Sequence, residues 1–489
     1  MVSRTERGRM LLVLLTAIFM SLIAVSIVNV AVPSIQDGLN ASDSDIQWIL
    51  SGYALSFGVV LVAAGRAGDI FGRGGIFLLG VTIFTLSSIA SGLAPDANWL
   101  NAARFVQGIG SGLINPQGLG MIQQYFRGDE RGRAFGFLGT TVGVSVAIGP
   151  VLGGLLIDLG GPVIGWRLTF LVNVPFGILT IILGLLWFPR PLFQHGSQPA
   201  AGQVHKANRG LRSLDPMGAV LLGLAVLFIL FPFVESRSTP LTWLMLPGGA
   251  VLCGLWILWE RRHERRGFRP MVNLDIFRTA SFANGTTIVT LYFLGMTSIW
   301  VLVALYVQDG LGMSALQSGM FGVPGALLSA WAAHWAGARV ARLGRTVVIG
   351  GLVVALFGLG ACAGVIVLHE LGLVSIWWLL LSLGIVGVAQ GAIISPNQAL
   401  TLAEVPLAYA GSSGAVMQTG QRIGASVGIA VITGAVFAAL RVMSWSYAVL
   451  VGLGIISLAV TLALWVAVKD LRDRQRAGQQ AQTPETVKN

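Results

Sequence analysis

The chain has 489 residues, of which 55% are hydrophobic and only 10% are charged. A soluble domain carries roughly 25% charged residues, so this chain has too few to cover a surface that faces water. Its net charge of +11 could indicate a nucleic-acid partner, but in membrane proteins such an excess is typical of basic cytoplasmic loops. The composition therefore excludes a soluble protein and predicts an all-α polytopic membrane protein whose partner is the lipid bilayer and not nucleic acid.

Fourteen apolar segments are long enough to cross a membrane, because about 20 helical residues span roughly 30 Å of hydrocarbon. The three arginines before the first segment resemble the start of a signal peptide. The apolar run to Val32 is too long for one, and no small-residue cleavage site follows, so we expect a retained first helix. The pair 216–234 and 243–260 is the least clearly marked. The predicted helices are 10–32, 46–64, 75–93, 98–124, 132–156, 166–188, 216–234, 243–260, 281–307, 316–337, 346–368, 375–401, 408–440 and 446–468.

The basic residues are distributed unequally between alternate connections. If the N-terminus lies in the cytoplasm, 26 of the 31 Lys and Arg residues fall in cytoplasmic segments, and only Arg167, Arg237 and Arg441 fall outside. Lys and Arg collect on the cytoplasmic side of membrane proteins. The pattern predicts a multi-pass protein of the cell membrane with both termini in the cytoplasm, and the basic cluster at 260–269 fits the same interpretation.

Two arginines remain inside predicted helices, Arg104 in the fourth and Arg422 in the thirteenth, whereas every Asp and Glu lies in a loop or at a helix end. A charge in the hydrocarbon region is costly, so such residues face the bundle interior or a water-filled cavity and mark functional sites. The interior is therefore predicted to hold two cations and no carboxylate.

Polar residues accompany these arginines at helical spacing, so they share one face of each helix. We expect the following residues to line a central cavity: Arg104, Gln107, Gly108, Ser111 and Asn115 in the fourth helix; Gln418, Gln421 and Arg422 in the thirteenth; Gln390 and Asn397 in the twelfth; and Asn29 and Tyr53 in the first two. The alternative is that they form hydrogen bonds between helices without contacting a substrate.

Two pairs of similar segments indicate an internal repeat. The first pair, GRAGDIFGR (65–73) and GARVARLGR (337–345), follows predicted helices, and its members start 272 residues apart. The second pair, LINPQ (113–117) and IISPN (393–397), lies within predicted helices, and its members start 280 residues apart. The two separations nearly agree. Parallel six-helix repeats form transporters whose substrate site lies between the halves. We expect an N-terminal bundle at 1–190, a linker with two extra helices at 191–270, a C-terminal bundle at 271–468 and a cytoplasmic tail at 469–489.

Four motifs in chain order resemble those of the major facilitator superfamily, and more narrowly its fourteen-helix drug:proton antiporter branch. The family's loop pattern Gly-x-Leu-Ala-Asp-Arg-x-Gly-Arg-Lys is matched by Gly65, Asp69, Gly72 and Arg73, while Ile70 and Gly74 replace basic residues. The helix-4 motif is matched by Arg104, Gln107 and Gly108, and the helix-5 antiporter motif by Gly149, Pro150, Gly153 and Gly154. GWRLTFLVNVPFG (165–177) is similar to the segment that opens helix 6.

The resemblance implies roles for these motifs. In family members the loop motif helps to latch the two halves in one state, and the helix-5 motif accompanies export. The residue-level alternatives are a solvated loop and a seam of small residues that packs helices together.

One position departs from the family. Helix 1 normally carries an Asp that serves as a proton or cation site, and Ala24 stands there. Arginine cannot replace it, because its pKa exceeds about 12. The remaining candidate proton sites are Asp158, Glu404 and His334, and a packed or interfacial role is the alternative for His334.

We expect a monomeric secondary active transporter without a cofactor, powered by the proton gradient, that exports small amphipathic drug-like compounds by alternating access. The interior arginines leave open a neutral or anionic amphiphile, such as a lipid or metabolite, exported without a helix-1 proton site. A membrane-embedded enzyme would need a catalytic cluster that is absent from the predicted helices, and a channel would show pore rings or a filter loop from an oligomer.

Overall fold

The computed structural model describes residues 3–193, 215–234, 240–268 and 270–482. Six of the basic residues assigned above to a side of the membrane lie outside these ranges: Lys206, Arg209, Arg212, Arg237, Arg269 and Lys488.

The described residues form fifteen α-helices and a few short helical turns. Their bounds are α1 (Arg4–Leu39), α2 (Asp43–Phe71), α3 (Arg73–Gly92), α4 (Ala97–Tyr125), α5 (Gly128–Leu171), α6 (Asn173–Trp187), α7 (Pro216–Val234), α8 (Met245–Arg265), α9 (Ala280–Leu305), α10 (Ala315–Met320), α11 (Gly322–Leu343), α12 (Arg345–Glu370), α13 (Leu379–Thr401), α14 (Ala410–Ala439) and α15 (Trp445–Gln482). Turns of 3₁₀-helix occupy Pro240–Leu244, Leu274–Arg278, Ile376–Trp378 and Leu407–Tyr409, and a π-helical turn occupies Tyr306–Gly310.

Helix boundaries differ from those predicted mainly because helices continue past their apolar cores. α1 and α15 extend well beyond 10–32 and 446–468 into charged sequence. α5 contains two helical segments that meet at Gly161, where φ is 67°, a value that only glycine adopts readily. The second segment and α6 together make up the predicted helix 166–188, and the tenth predicted helix is divided into α10 and α11.

Twelve helical spans in the described chain are long and apolar enough to cross a membrane. α4 and α11 are of comparable length but less apolar, because α4 carries the polar stripe and α11 is rich in alanine and charged at its end. Both pack between other helices, α4 against α2 and α3, and α11 against α13 and α5. Neither needs a fully apolar surface in such a position, since neighbouring helices shield it from lipid.

Two six-helix bundles form the body of the molecule. In the first, α4 packs on α2 and α3, α1 packs on α5, and α6 packs on α1 and α3. In the second, α9 packs on α14 and α15, and α13 packs on α11 and α12. α7 and α8 pair with each other, and α7 contacts α2 and α14, so the extra pair lies beside a seam between the bundles.

The bundles meet along two seams, α2 with α14 and α5 with α11. We call the end of the molecule where α2 meets the start of α14 the basic end, because the turns that carry Arg73, Arg131 and Arg345 lie there. The hydrogen bonds found between the bundles in the described residues lie between this end and the middle of the helices. The two halves are therefore closed against each other at the basic end.

Candidate functional site

The turn between α2 and α3 places Asp69 and Arg73 in a bonded pair. Arg73 Nη2 donates to Asp69 Oδ1 at 2.8 Å, and only 1% of the Asp69 side chain is exposed. Arg73 also donates to the Gly120 carbonyl oxygen and to Gln124 Oε1, both on α4. The pair is not a solvated loop, because its atoms are buried and every contact ties the turn to a helix.

Asp69 also reaches across to the other half. Its two carboxylate oxygens accept hydrogen bonds from the backbone N–H groups of Gly411 (2.9 Å) and Ser412 (3.0 Å), in the first turn of α14. The first N–H groups of a helix lack intrahelical partners and carry a partial positive charge, which a carboxylate stabilises. Arg73 Nη2 adds a bond to the Leu407 carbonyl oxygen at 2.6 Å. The loop motif thus joins the two bundles in this conformation.

Glycines allow the backbones of the two halves to touch at both seams. A Cβ atom on Gly65 would collide with the backbone of Gly411, and one on Gly337 would collide with the backbone of Gly132 and Gly136. Gly65 and Gly337 occupy equivalent positions in the repeated segments, so the internal repeat produces the same close contact at α2–α14 and at α5–α11.

A buried hydrogen-bond network holds Arg104 within the N-terminal bundle. Its guanidinium donates from Nε to the Ile49 carbonyl oxygen at 3.1 Å and from Nη1 to Gln107 Oε1 at 2.6 Å. Gln107 Nε2 in turn donates to Ser88 Oγ at 2.7 Å. Arg104 is 1% exposed, so in this conformation it links α2, α3 and α4 and does not face an open space. Gly108 brings α4 close to α2, because a Cβ there would meet Ser56 and the Tyr53 carbonyl oxygen.

A stack of four side chains connects the two interior arginines. The guanidinium carbon of Arg104 lies 4.4 Å from the centroid of the Tyr53 ring, and the Tyr53 and Phe57 rings are stacked with an interplanar angle of 6°. The guanidinium carbon of Arg422 lies 4.1 Å from the centroid of the Phe57 ring. Arg104 and Arg422 are thus joined through two aromatic rings of α2, and the last contact crosses from α14 to the other bundle.

Hydroxyl groups surround the Tyr53 end of this stack. Tyr53 Oη and Ser111 Oγ are 2.5 Å apart, and Ser21 Oγ lies 2.7 Å from Ser111 Oγ. Asn115 Nδ2 donates to the Ser111 carbonyl oxygen within α4. Ala24, one turn after Ser21 on α1, is buried in the same cluster of side chains as Tyr53. The position of the family's acid therefore lies in the interior of the N-terminal bundle.

The other predicted cavity residues occupy different environments. Asn29 is exposed, while Gln390, Gln418, Gln421 and Arg422 are half-buried. Asn397 is fully buried, accepts a hydrogen bond from Arg345 Nη1 at 2.6 Å and donates to the Gly285 carbonyl oxygen, so it connects helices of the C-terminal bundle. The Gln421 amide nitrogen is buried and finds no acceptor in the described residues.

The helix-5 motif forms the contact between α5 and α1. Cβ atoms on Gly149 and Gly153 would collide with Ser26 and Ile27, whereas one on Gly154 would meet nothing within 4 Å. Pro150 lies within the helical part of α5 and lacks the N–H that a helix uses. Ser26 Oγ donates to the Ser145 carbonyl oxygen at 3.2 Å, which supplies a hydrogen bond between the helices at this point.

The three candidate proton sites lie apart from the aromatic stack. Asp158 is exposed on α5. Glu404 is exposed between α13 and α14, where it accepts hydrogen bonds from Ser281 Oγ and Arg474 Nη1. His334 is exposed on α11, and its ring lies 5.1 Å from that of Phe137 on α5.

Sequence reasoning missed Phe57 and Asp470. Phe57 follows Tyr53 by one helical turn, and this i, i+4 aromatic spacing was the available signal. Asp470 is buried inside α15, where it pairs with Arg345 at 2.7 Å and accepts a bond from Asn284 Nδ2. Its position two residues beyond the predicted helix concealed it, because α15 continues to Gln482.

Comparisons with known proteins agree with this geometry. The sequence profile of the Major Facilitator Superfamily matches residues 14–246 and 216–429. The probable actinorhodin transporter of Streptomyces coelicolor is 34% identical over 425 residues, which cover 86% of this chain and 71% of the relative. The tetracenomycin C resistance and export protein of Streptomyces glaucescens is 30% identical over 433 residues, covering 87% and 76%.

A solved structure shares the fold. The proton:xylose symporter XylE superposes with a TM-score of 0.64 at 15% sequence identity, over 94% of this chain and 95% of that one. The family match, the relatives and the pair of six-helix bundles lead to one conclusion: the chain belongs to the major facilitator superfamily and is a multi-pass membrane transporter of small molecules, not an enzyme.

Proposed function

We propose that this transporter exports small amphipathic organic compounds from the cell by alternating access. The observation that carries the proposal is the asymmetric contact between the bundles. They are joined by hydrogen bonds and glycine contacts from the basic end to about the middle of the helices, where Arg422 meets Phe57. Two bundles that close at one end around a central group of polar and aromatic side chains are suited to rocking about that centre.

The basic end is proposed to face the cytoplasm. Lys and Arg accumulate on that side of membrane proteins, and the turns that carry Arg73, Arg131 and Arg345 share this end. The conformation described above is then the one closed to the cytoplasm. The loop motif would stabilise it, because Asp69 and Arg73 bond directly to the start of α14 and the turn before it.

The relatives support export as the direction of transport. Those matched over most of the chain include proteins named for tetracenomycin C resistance and export and for puromycin resistance. The match of Gly149, Pro150, Gly153 and Gly154 to the family's antiporter motif supports the same direction. We accordingly propose a plasma-membrane exporter whose substrates are amphipathic organic molecules.

The proton gradient is the proposed energy source, and the transporter would use it by proton antiport. The usual helix-1 acid is replaced by Ala24, so the proton would bind at His334, Asp158 or Glu404, all of which are exposed. An exporter of a neutral or anionic amphiphile that has no helix-1 proton site is the second candidate, and it is favoured by the two arginines of the central stack.

A flux assay on purified protein in liposomes tests both proposals. A fluorescent amphiphile, such as a naphthalene derivative, is supplied on the side of the basic end, with and without a proton gradient directed against its movement. We expect accumulation beyond equilibrium with the gradient and only slow equilibration without it. The control is the Asp69→Asn variant, which loses the charge at α14 and should slow transport without abolishing binding.

Equal flux with and without the gradient would contradict proton coupling. Rapid equilibration in which the amphiphile never exceeds its concentration on the side where it was supplied would instead indicate a channel. The absence of any movement of amphiphiles would contradict export. A His334→Ala variant that remains fully coupled would remove His334 from the three candidate proton sites.

A further inference from the structure

We propose that Arg422 and Phe57 form the binding site for the anionic group and the ring of an aromatic organic anion. The inference builds on the proposed export of amphipathic compounds and specifies the charge and shape of the substrate. It rests on the environment of Arg422, on its position between the bundles and on the side chains around it.

Arg422 differs from Arg104 in its hydrogen bonding. Arg104 is buried and donates to the Ile49 carbonyl oxygen and to Gln107. Arg422 is half-buried, and in the described residues no carbonyl or side chain accepts a hydrogen bond from it; its contact is the face of Phe57. A guanidinium has five N–H donors in a planar fork that fits a carboxylate. Arg422 therefore has free donors where a ligand can reach them.

The charge around Arg422 favours an anion. The described ion pairs of the chain do not include Arg422 or Arg104, so no carboxylate neutralises either cation. On the same helix, Gln421 has a buried amide nitrogen without an acceptor, and Gln418 lies one turn before Arg422 on the same face. Uncompensated donors and a positive charge attract an anionic group and repel a cation.

The ring of Phe57 favours an aromatic ligand. It is held parallel to Tyr53, which is itself fixed by Arg104 on one face and by Ser111 at its hydroxyl. Phe57 is 4% exposed in the described conformation, where Arg422 lies over its ring. Once the seam opens, a ring already held in one orientation can stack on a planar ligand at little entropic cost, and the guanidinium adds cation–π attraction. Arg104 is accordingly a positioning residue: it acts on the ligand through Tyr53 and Phe57 and not by direct contact.

The position of the site couples binding to the conformational change. Phe57 belongs to α2 and Arg422 to α14, and these helices form one of the two seams between the bundles. When the halves separate at this seam, the guanidinium and the ring part, so an aromatic anion can enter between them from the basic end. The site therefore accepts its ligand in the conformation open at the basic end, and in the conformation described above the contact between Arg422 and Phe57 closes it.

Calorimetric titration of the full-length protein in detergent tests this inference with three probes of matched shape. They are 2-naphthoate, which is anionic, 2-naphthalenemethanol, which is neutral, and 2-naphthylmethylammonium, which is cationic. We expect 2-naphthoate to bind most tightly, by roughly tenfold or more over the cation, since one hydrogen-bonded charge contact accounts for about that factor.

Variants separate charge from shape. Arg422→Gln is expected to weaken 2-naphthoate binding roughly 10- to 100-fold and to leave the neutral probe little changed. Arg422→Lys should retain the preference for the anion at reduced affinity, because lysine keeps the charge but lacks the planar fork.

Phe57→Leu should retain that preference and lose the discrimination between 2-naphthoate and cyclohexanecarboxylate. Arg104→Lys should weaken the binding of both 2-naphthoate and 2-naphthalenemethanol, because Tyr53 and Phe57 would no longer be held in one orientation.

Arg472→Gln is the matched control, because it removes one exposed arginine from the basic end and should not change binding. Tighter binding of the cation by wild type, binding of none of the probes, or unchanged 2-naphthoate affinity in a folded Arg422→Gln variant would each overturn the inference. The same probes in the liposome assay distinguish the two proposals. Selective binding without transport would contradict export and leave this site intact, whereas transport without selectivity for the anion would contradict only the site.

Discussion

Arg104 and Arg422 show how the same residue type acquires different roles from its neighbours. Arg104 gives its donors to a carbonyl and an amide of its own bundle and stacks on Tyr53. Within the described parts of the chain, Arg422 finds no hydrogen-bond acceptor, and it stacks on a ring of the other bundle. The four-membered stack accommodates two cations without a carboxylate because aromatic faces carry partial negative charge. On the inference above, this arrangement favours anionic over cationic substrates.

Ala24→Asp is predicted to shift selectivity toward cations. The substitution would place a carboxylate one turn from Ser21, in the cluster that contains Tyr53. A buried unpaired carboxylate is costly, and a bound cation would relieve that cost. The ratio of the affinity for 2-naphthylmethylammonium to that for 2-naphthoate should therefore rise about tenfold, which corresponds to about 1.4 kcal/mol. Calorimetric titration measures this ratio. Ala24→Asn is the control of equal size, and identical ratios in the Asp and Asn variants would contradict the prediction.

At the scale of helices, glycine positions determine how closely the two halves approach. The contacts of Gly65 with Gly411 and of Gly337 with Gly132 and Gly136 are backbone contacts, which no larger residue could make without moving a helix. Gly149 and Gly153 bring α5 close to α1 within one half, mainly against the side chains of Ser26 and Ile27. Small residues at helix interfaces permit van der Waals packing and close approach in membranes, where the hydrophobic effect does not drive helices together.

Gly65→Ala is predicted to destabilise the conformation closed at the basic end. The added methyl would meet the Gly411 backbone and the Ala415 Cβ, and overpacking typically costs about 1–3 kcal/mol. The population of this conformation should fall roughly 5- to 150-fold relative to the opposite one. Labelling of a cysteine introduced at Gln123, in a protein lacking Cys253 and Cys362, would report the opening.

The control for the glycine prediction is Gly350→Ala, because a Cβ at Gly350 meets nothing within 4 Å. It should leave labelling at position 123 at the wild-type rate. Equal labelling rates in the Gly65→Ala variant and in this control would show that the close contact does not set the equilibrium.

At the scale of the whole molecule, the two bundles are joined by polar contacts that can break together. Asp69 accepts from the start of α14, Gln123 donates to the Leu402 and Val405 carbonyl oxygens, and Thr140 donates to the Ala330 carbonyl oxygen. Apolar side chains also cross this interface, because one buried cluster contains Leu119 and Ile122 of α4 together with Leu402 and Met417 of the C-terminal half. Separation at the basic end therefore exposes part of that cluster as well as breaking the polar contacts. Two other apolar clusters each lie within a single bundle, one in the C-terminal half and one in the N-terminal half, which favours movement of each bundle as a unit.

A disulfide between the halves is predicted to stop transport. A Cβ on Gly414 would lie 3.4 Å from the Cβ of Leu119, close to the Cβ separation of about 3.5–4.5 Å in disulfides. Leu119→Cys combined with Gly414→Cys, in a background without Cys253 and Cys362, should lose liposomal transport on oxidation and regain it on reduction.

Gly295→Cys with Ala459→Cys is the matched control, because its Cβ separation of 3.2 Å is similar and both residues lie in the C-terminal bundle. Its oxidation should leave transport unchanged. Full transport by the oxidised Leu119–Gly414 pair, with the disulfide verified by mass spectrometry, would contradict opening at the basic end.

The sequence by itself determined the membrane setting, the helical class and the repeat of two six-helix halves, because these follow from apolar length, charge distribution and internal similarity along the chain. It also identified Asp69, Arg73, Arg104 and the helix-5 glycines as a recognisable set of motifs. The division at 190 and 270, and the roles of the cavity residues, stay predictions. Helix ends were displaced wherever a helix continued into polar sequence, as at Gln482.

Only the tertiary structure decided which partner each polar group has. The Asp69 carboxylate binds the start of a helix 342 residues further along the chain, and Arg422 meets Phe57 across a seam. Helical periodicity places a residue on a face of its own helix but carries no information about which helix lies opposite. For that reason Arg104 and Arg422, equivalent as charges in apolar segments, could be separated into a positioning residue and a candidate binding residue only once the bundles were packed.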